Sequence, residues 1–199
     1  DVTKAIENRA NELLAAKLHG VKRLPYEQAM KASTTSRHDF VGAYVSDLAQ
    51  VVDLDRIKAD VAATMRRIAQ EEAFMGRSGQ VGDELGSQVI ASRLVHDLML
   101  LCFLMEKQYA PYPKWFGSGF ARLHCAASLM PLLRQTLSAG DWQEREQHLS
   151  ACYRLLAELH NALGITDPLP TEVTSYYDRP FKVIHGDQFA EAIVARITD

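Results

Sequence analysis

Apolar residues recur at every third or fourth position along most of this 199-residue chain, and no alternating apolar–polar run appears before its C-terminal region. That period places the apolar side chains on one face of an α-helix rather than a strand. Residues 54–74 carry Ile57, Val61, Met65 and Ile68 at spacings of four, four and three. Residues 141–162 and their flank carry Trp142, Leu149, Tyr153, Leu156, Leu159 and Leu163. Residues 83–109 are apolar around much of the helix, with Leu85, Val89, Ile90, Leu94, Leu98, Leu101, Leu104 and Met105. A helix of that kind belongs at the centre of a bundle.

Helix-breaking residues set the expected boundaries. Residues 2–18 are rich in Ala, Leu, Glu and Lys and end before Gly20. A short helix is expected over Tyr26–Lys31, another over about 39–51, and a turn-rich loop over Gly76–Gly82. Pro111 and Pro113 stop the central helix and open an aromatic loop that runs through Tyr109, Tyr112, Trp115 and Phe116. Residues 120–138 form the next helix, kinked at Pro131. Gly164 ends the helix over 141–162, Pro168 and Pro170 mark a linker, and a short strand over 181–184 precedes a last helix over 187–197. Short loops between long amphipathic helices predict an all-α fold, an antiparallel helical bundle with one short strand near the C-terminus.

Composition narrows the function classes. A formal charge of −3 offers no basic excess to neutralise phosphates, which argues against nucleic-acid binding by bulk charge. Cys102, Cys125 and Cys152 have no zinc-ligand spacing and lie in apolar contexts, so free thiols in a reducing cytoplasm are expected. The longest apolar run, Leu98–Met105, is less than half of a membrane span, so no membrane association is expected. Neither a metal nor a cofactor is expected, because P-loop, GxGxxG, GxSxG and HExxH patterns are all missing. The chain begins at Asp1 rather than at Met, and an upstream segment is expected.

A few residues stand out chemically. Glu72 continues the apolar stripe of its helix, where a carboxylate is costly unless partnered. It is either buried in an ion pair with Arg77 or Arg93, or, next to Glu71, a candidate general base with a raised pKa. Arg93 and Asp97 stand four apart and are expected to pair on one helix face, with His96 pointing elsewhere. His160 lies on its helix's apolar stripe and is expected to be a hydrogen-bonded core histidine. Lys114 and Trp115 put a cation beside a large π face, which suits an anionic or planar ligand or an aromatic plug over the bundle. Asp53 and Asp55 have the spacing of a metal-binding acidic pair, but their helical context reads more simply as an N-cap.

Five segments together resemble the DUF4037 family: RIAQEEAFMGR (67–77), VGDELGS (81–87), ASRLVHDLMLLCFLMEKQYAPYPKWFG (91–117), HNALGIT (160–166) and DRPFKVI (178–184). Members of that family usually carry a nucleotidyltransferase-like domain in front of this region. The resemblance therefore implies a helical partner of such a domain, closing one side of a substrate site. By position it carries over Glu71, Glu72, Arg77, Asp83, Lys114 and Trp115 as substrate-binding candidates. It divides the chain into residues 1–60, which do not match the family, and a family-like helical domain over 61–199. The family's Gly-Ser turn with a strand-borne acidic pair is missing from residues 1–60, so nucleotidyl transfer by this chain alone is not expected.

Three readings follow. The chain is a substrate-binding or regulatory helical module, partnered by a nucleotidyltransferase-like domain or a small polar ligand. Alternatively it is a small autonomous enzyme with Glu72 as general base, or a purely structural bundle that forms a homodimer. A ligand-sized exposed cleft favours the first two, and clustering of Glu72 with Lys114 favours the second.

Overall fold

The computed structural model describes residues 2–39 and 53–197, which fall into two compact units divided after Val51. The first unit contains α1 (Val2–Ala15) and α2 (Tyr26–Met30). The ion pairs Lys4–Glu7 and Arg9–Glu12 lie along the exposed surface of α1, and none of its residues is buried. α1 stops at Ala15, short of the expected end at 18; Lys17 and Leu18, at φ 54° and 63°, close it with their N–H groups on the Leu14 and Leu13 carbonyls, and Gly20, φ 86°, lies beyond that cap. The helix expected over 39–51 lies almost wholly outside the described residues.

The second unit is an all-α bundle: α3 (Leu54–Glu71), α4 (Phe74–Gln80), α5 (Glu84–Met105), a 3₁₀ turn at Pro113–Trp115 running into α6 (Phe116–Phe120), α7 (Ala126–Ser138), α8 (Trp142–Leu163) and α9 (Gly186–Val194). Between α8 and α9 lies a two-stranded antiparallel ladder, β1 (Thr174–Ser175) with β2 (Lys182–Val183). Aspartates start three of the helices. Asp53, Asp83 and Asp141 each accept the main-chain N–H three residues on, from Arg56, Gly86 and Glu144. Gly164 closes α8 in the left-handed conformation, φ 63°.

The core forms where the apolar stripes meet. Val61, Met65 and Ile68 of α3 join Leu94, Leu98 and Leu101 of α5, Leu149, Tyr153 and Leu156 of α8, and Phe189 and Ile193 of α9. α5 packs against α3, α4, α7 and α8, the central place that its all-round apolarity predicts. Its length and composition would also suffice to cross a membrane, a property that core helices share. Cys102, Cys125 and Cys152 are free and buried, and a hydrogen bond to Cys125 together with burial pushes the Cys102 thiol up.

Several boundaries differ from expectation: α5 stops at Met105 rather than at 109, and α9 at Val194 rather than at 197. The segment 76–82 is mostly helix α4 rather than loop, because its glycines serve packing. A Cβ on Gly76 would meet Phe181 Cδ1 at 2.7 Å, and one on Gly79 would overlap Trp142. The helix expected over 120–138 begins only at Ala126, after the short α6 and an irregular turn.

Candidate functional site

Glu72 caps α3 at its C-terminal end and turns inward, leaving the residue 4% exposed. Its partner is neither Arg77 nor Arg93 but the backbone more than a hundred residues on. Ile184 N–H donates to Oε2 at 2.8 Å and Gly186 N–H to Oε1 at 3.4 Å. Glu146 of α8 does the same one step earlier along the strand, where its Oε1 accepts the Lys182 N–H at 2.9 Å. The amides of residues 182 and 184 share the edge of β2 that faces away from β1, so two carboxylates satisfy the edge that a third strand would otherwise pair. Burial pushes the Glu72 carboxyl up to about 7; the amides of Ile184, Gly186 and His185 pull it down, and Asp187 adds to the rise. Tyr153 lies in the same region, wholly buried, its hydroxyl without a partner among the described residues.

The exposed charges lie on the other side of α3. Arg93 of α5 reaches Glu71 with Nε at 3.0 Å and a terminal nitrogen at 2.9 Å. One turn further along α5, Asp97 receives Arg67 in a two-point contact at 3.1 and 3.0 Å. The expected Arg93–Asp97 pair is therefore replaced by two bridges from α5 to α3, because antiparallel packing brings closer-fitting partners across the seam. With Ser92 and His96, these four side chains border a surface groove of about 520 Å³.

His96 joins the groove to the aromatic loop. Its Nδ1 lies 3.3 Å from Asp97 Oδ1, and its ring stacks on Phe116 at 5.0 Å and 24°. Phe116 also contacts Phe103 at 5.4 Å. After Met105 the chain therefore folds back along α5 instead of continuing beyond it. Trp115, 57% exposed, follows this reversal, with the Lys114 ammonium over its ring at 5.2 Å. A straight continuation of α5 would have left Lys114 and Trp115 a full helix length from Glu71.

The remaining sequence candidates have local roles. Arg77 stands over the Phe74 ring at 5.3 Å, and Asp83 caps α5. Asp53 caps α3, and Asp55 pairs with Lys58 at 2.8 Å. His160 is fully buried; its Nε2 lies 2.9 Å from Thr166 Oγ1, and burial holds its imidazole below the ordinary value. The structure thus brings Glu71, Arg93, Asp97 and His96 together near the loop of Lys114 and Trp115, and turns Glu72 away from them. Among the described residues no group of three or more His, Cys, Asp or Glu is arranged to hold a metal ion.

The fold defines an all-α bundle domain. The family model described as "Domain of unknown function (DUF4037)" matches residues 50–116, about a third of the chain, and supports the resemblance over that stretch. The matched stretch contains both walls of the groove and the aromatic loop through Phe116, but neither the Glu146 nor the β2 partner of the tail. A phosphoglucomutase from Komagataeibacter xylinus is 53% identical over 58 residues, which are 29% of this chain and 10% of that protein. The match thus spans about a tenth of that relative's length. No solved structure matches the chain.

Proposed function

We propose that this chain is a substrate-binding helical module that works beside a nucleotidyltransferase-like domain, in the cytoplasm, and that its binding surface is the groove between α3 and α5. The observation that carries the reading is an exposed, ligand-sized groove of about 520 Å³ whose polar side chains are held by one another. Two guanidinium groups and two carboxylates line it in balance, so its net charge is zero with His96 neutral. Such a surface suits a polar acceptor carrying hydroxyl or amino groups better than a triphosphate, which calls for excess positive charge or a glycine-rich cradle. Leu85 and Val89 continue the same side of α5 and are exposed, as is Val81 in the turn before the helix, apolar surface of the kind a covering domain buries.

The autonomous-enzyme alternative draws no support from the geometry. Glu72 is buried, its oxygens accept backbone amides, and Lys114 belongs to a loop on the groove side. A general base has to reach the proton it removes, within hydrogen-bond distance or through one water.

Calorimetric titration with glucosamine, which carries hydroxyl groups and one ammonium, and separately with MgATP tests the reading. Glucosamine is expected to bind and MgATP to bind at least tenfold more weakly. Arg93→Ala should weaken glucosamine binding at least tenfold. Equal affinity of the wild type and Arg93→Ala for glucosamine would remove the groove as the site.

A further inference from the structure

A second cleft, outside the groove, has a different electrostatic character. It opens at the C-terminal end of α5, where residues 106–111 and the turn 119–124 enclose about 330 Å³. Phe103, Tyr109 and Pro111 form its apolar wall, and Gln108, Arg122 and His124 its polar one.

Glu106 also lines the cleft, yet both of its oxygens are engaged. The main-chain N–H groups of His124 and Cys125 donate to Oε2 and Oε1, each at 2.8 Å. Burial raises this carboxyl, while the Cys125 amide and thiol, the His124 amide and the nearby His124 imidazole lower it and together hold it below its usual range. Arg122, by contrast, is exposed and has no carboxylate partner among the described residues, unlike Arg67 and Arg93 in the groove. The hydrogen-bonding capacity toward the cleft is therefore chiefly the Arg122 guanidinium and the His124 imidazole, beside an aromatic ring, while the Gln108 amide nitrogen already donates to the Glu106 carbonyl at 3.5 Å. Planar guanidinium groups bind phosphate and carboxylate oxygens in two-point contacts, and an apolar wall favours an organic body attached to such an anion.

We infer that this cleft is an anion subsite for a small organic phosphate or carboxylate, with Arg122 as the ion-pairing residue, His124 as a second donor, and Tyr109 and Pro111 against the organic part. It is independent of the α3–α5 groove, and its test does not depend on what binds there.

The full chain, with its histidines isotopically labelled, is titrated with inorganic phosphate, phenyl phosphate and benzoate while the His124 imidazole signal is followed. Phenyl phosphate is expected to shift that signal saturably and to bind at least fivefold more tightly than inorganic phosphate. The phenyl phosphate to benzoate ratio then distinguishes a phosphoryl from a carboxylate subsite. Arg122→Gln should weaken phenyl phosphate at least tenfold, whereas Arg134→Gln, an exposed arginine outside the cleft, should leave it unchanged. Absence of a saturable shift with all three probes, or equal weakening by Arg122→Gln and Arg134→Gln, overturns the assignment. Arg122 makes no ion pair among the described residues, so unfolding midpoints of the two variants should agree, which separates lost binding from lost folding.

Discussion

Removing the Glu72 carboxylate strips the amides of Ile184 and Gly186 of their acceptor inside the core. Glu72→Ala is expected to lower unfolding free energy by about 2–4 kcal/mol in denaturant titration. The pH dependence has a definite sign. Glu72 titrates near 7 in the fold against 4.5 as its reference, so the folded state binds a proton that the unfolded chain has released between those values. Its contribution is full below the unfolded value and is lost as pH rises through about 7, by up to about 3 kcal/mol. His160 acts oppositely: burial lowers its folded pKa, so stability falls as the unfolded chain takes up a proton below about 6.5. Glu72→Gln should remove the loss on the alkaline side and leave the acid-side loss from His160. A carboxylate in register with Val61, Met65 and Ile68 signals burial and a partner, and that much of Glu72 is legible from its spacing. The partner is not, because periodicity carries no information about a backbone 112 residues away. Arg145 carries the same kind of signal: it stands three after Trp142 and four before Leu149, and it is buried against Ser87, Glu84 and the Ala139 carbonyl.

Between elements, close approach matters more than charge. α4 lies against the tail and α8 through Gly76 and Gly79, so Gly79→Ala must displace Trp142 and Gly76→Ala must displace Phe181. Each should cost about 1–3 kcal/mol, measured as a lower unfolding midpoint. The two bridges from α3 to α5 are half exposed, and such pairs contribute roughly 0–1 kcal/mol each. Arg93→Ala should therefore leave the unfolding free energy within about 1 kcal/mol of wild type, so any large loss of binding in that variant belongs to the groove. The helices themselves were readable because apolar spacing and aspartate caps are local. The α4 segment was not, since glycine density marks a turn and a tight helix packing equally well. The reversal after Met105 was hidden for a related reason: Pro111 and Pro113 announce that the helix stops, while the direction of the chain afterwards depends on Phe116 finding Phe103 and His96.

At the scale of the whole molecule, the described residues offer no arrangement for two-metal phosphoryl chemistry. Asp53 caps a helix and Asp55 holds Lys58, so the chain mixed with ATP, magnesium and hydroxyl acceptors should release no pyrophosphate above blank. Steady release that vanishes in Asp53→Asn would contradict this. The bundle was foreseeable from its helical periods, and the groove was foreseeable only in part. The family-like segment points to Glu71, but spacing alone pairs Arg93 with Asp97, because positions along one helix cannot weigh a competing partner on the next.

Mapping backbone amide shifts during a glucosamine titration tests the central claim most directly. The account predicts saturable shifts clustered at residues 67–71 and 92–97 and at Trp115 and Phe116, with the amides of Ile184 and Gly186 unmoved. Shifts centred on Ile184 and Gly186, or none at 67–71 and 92–97, would contradict it.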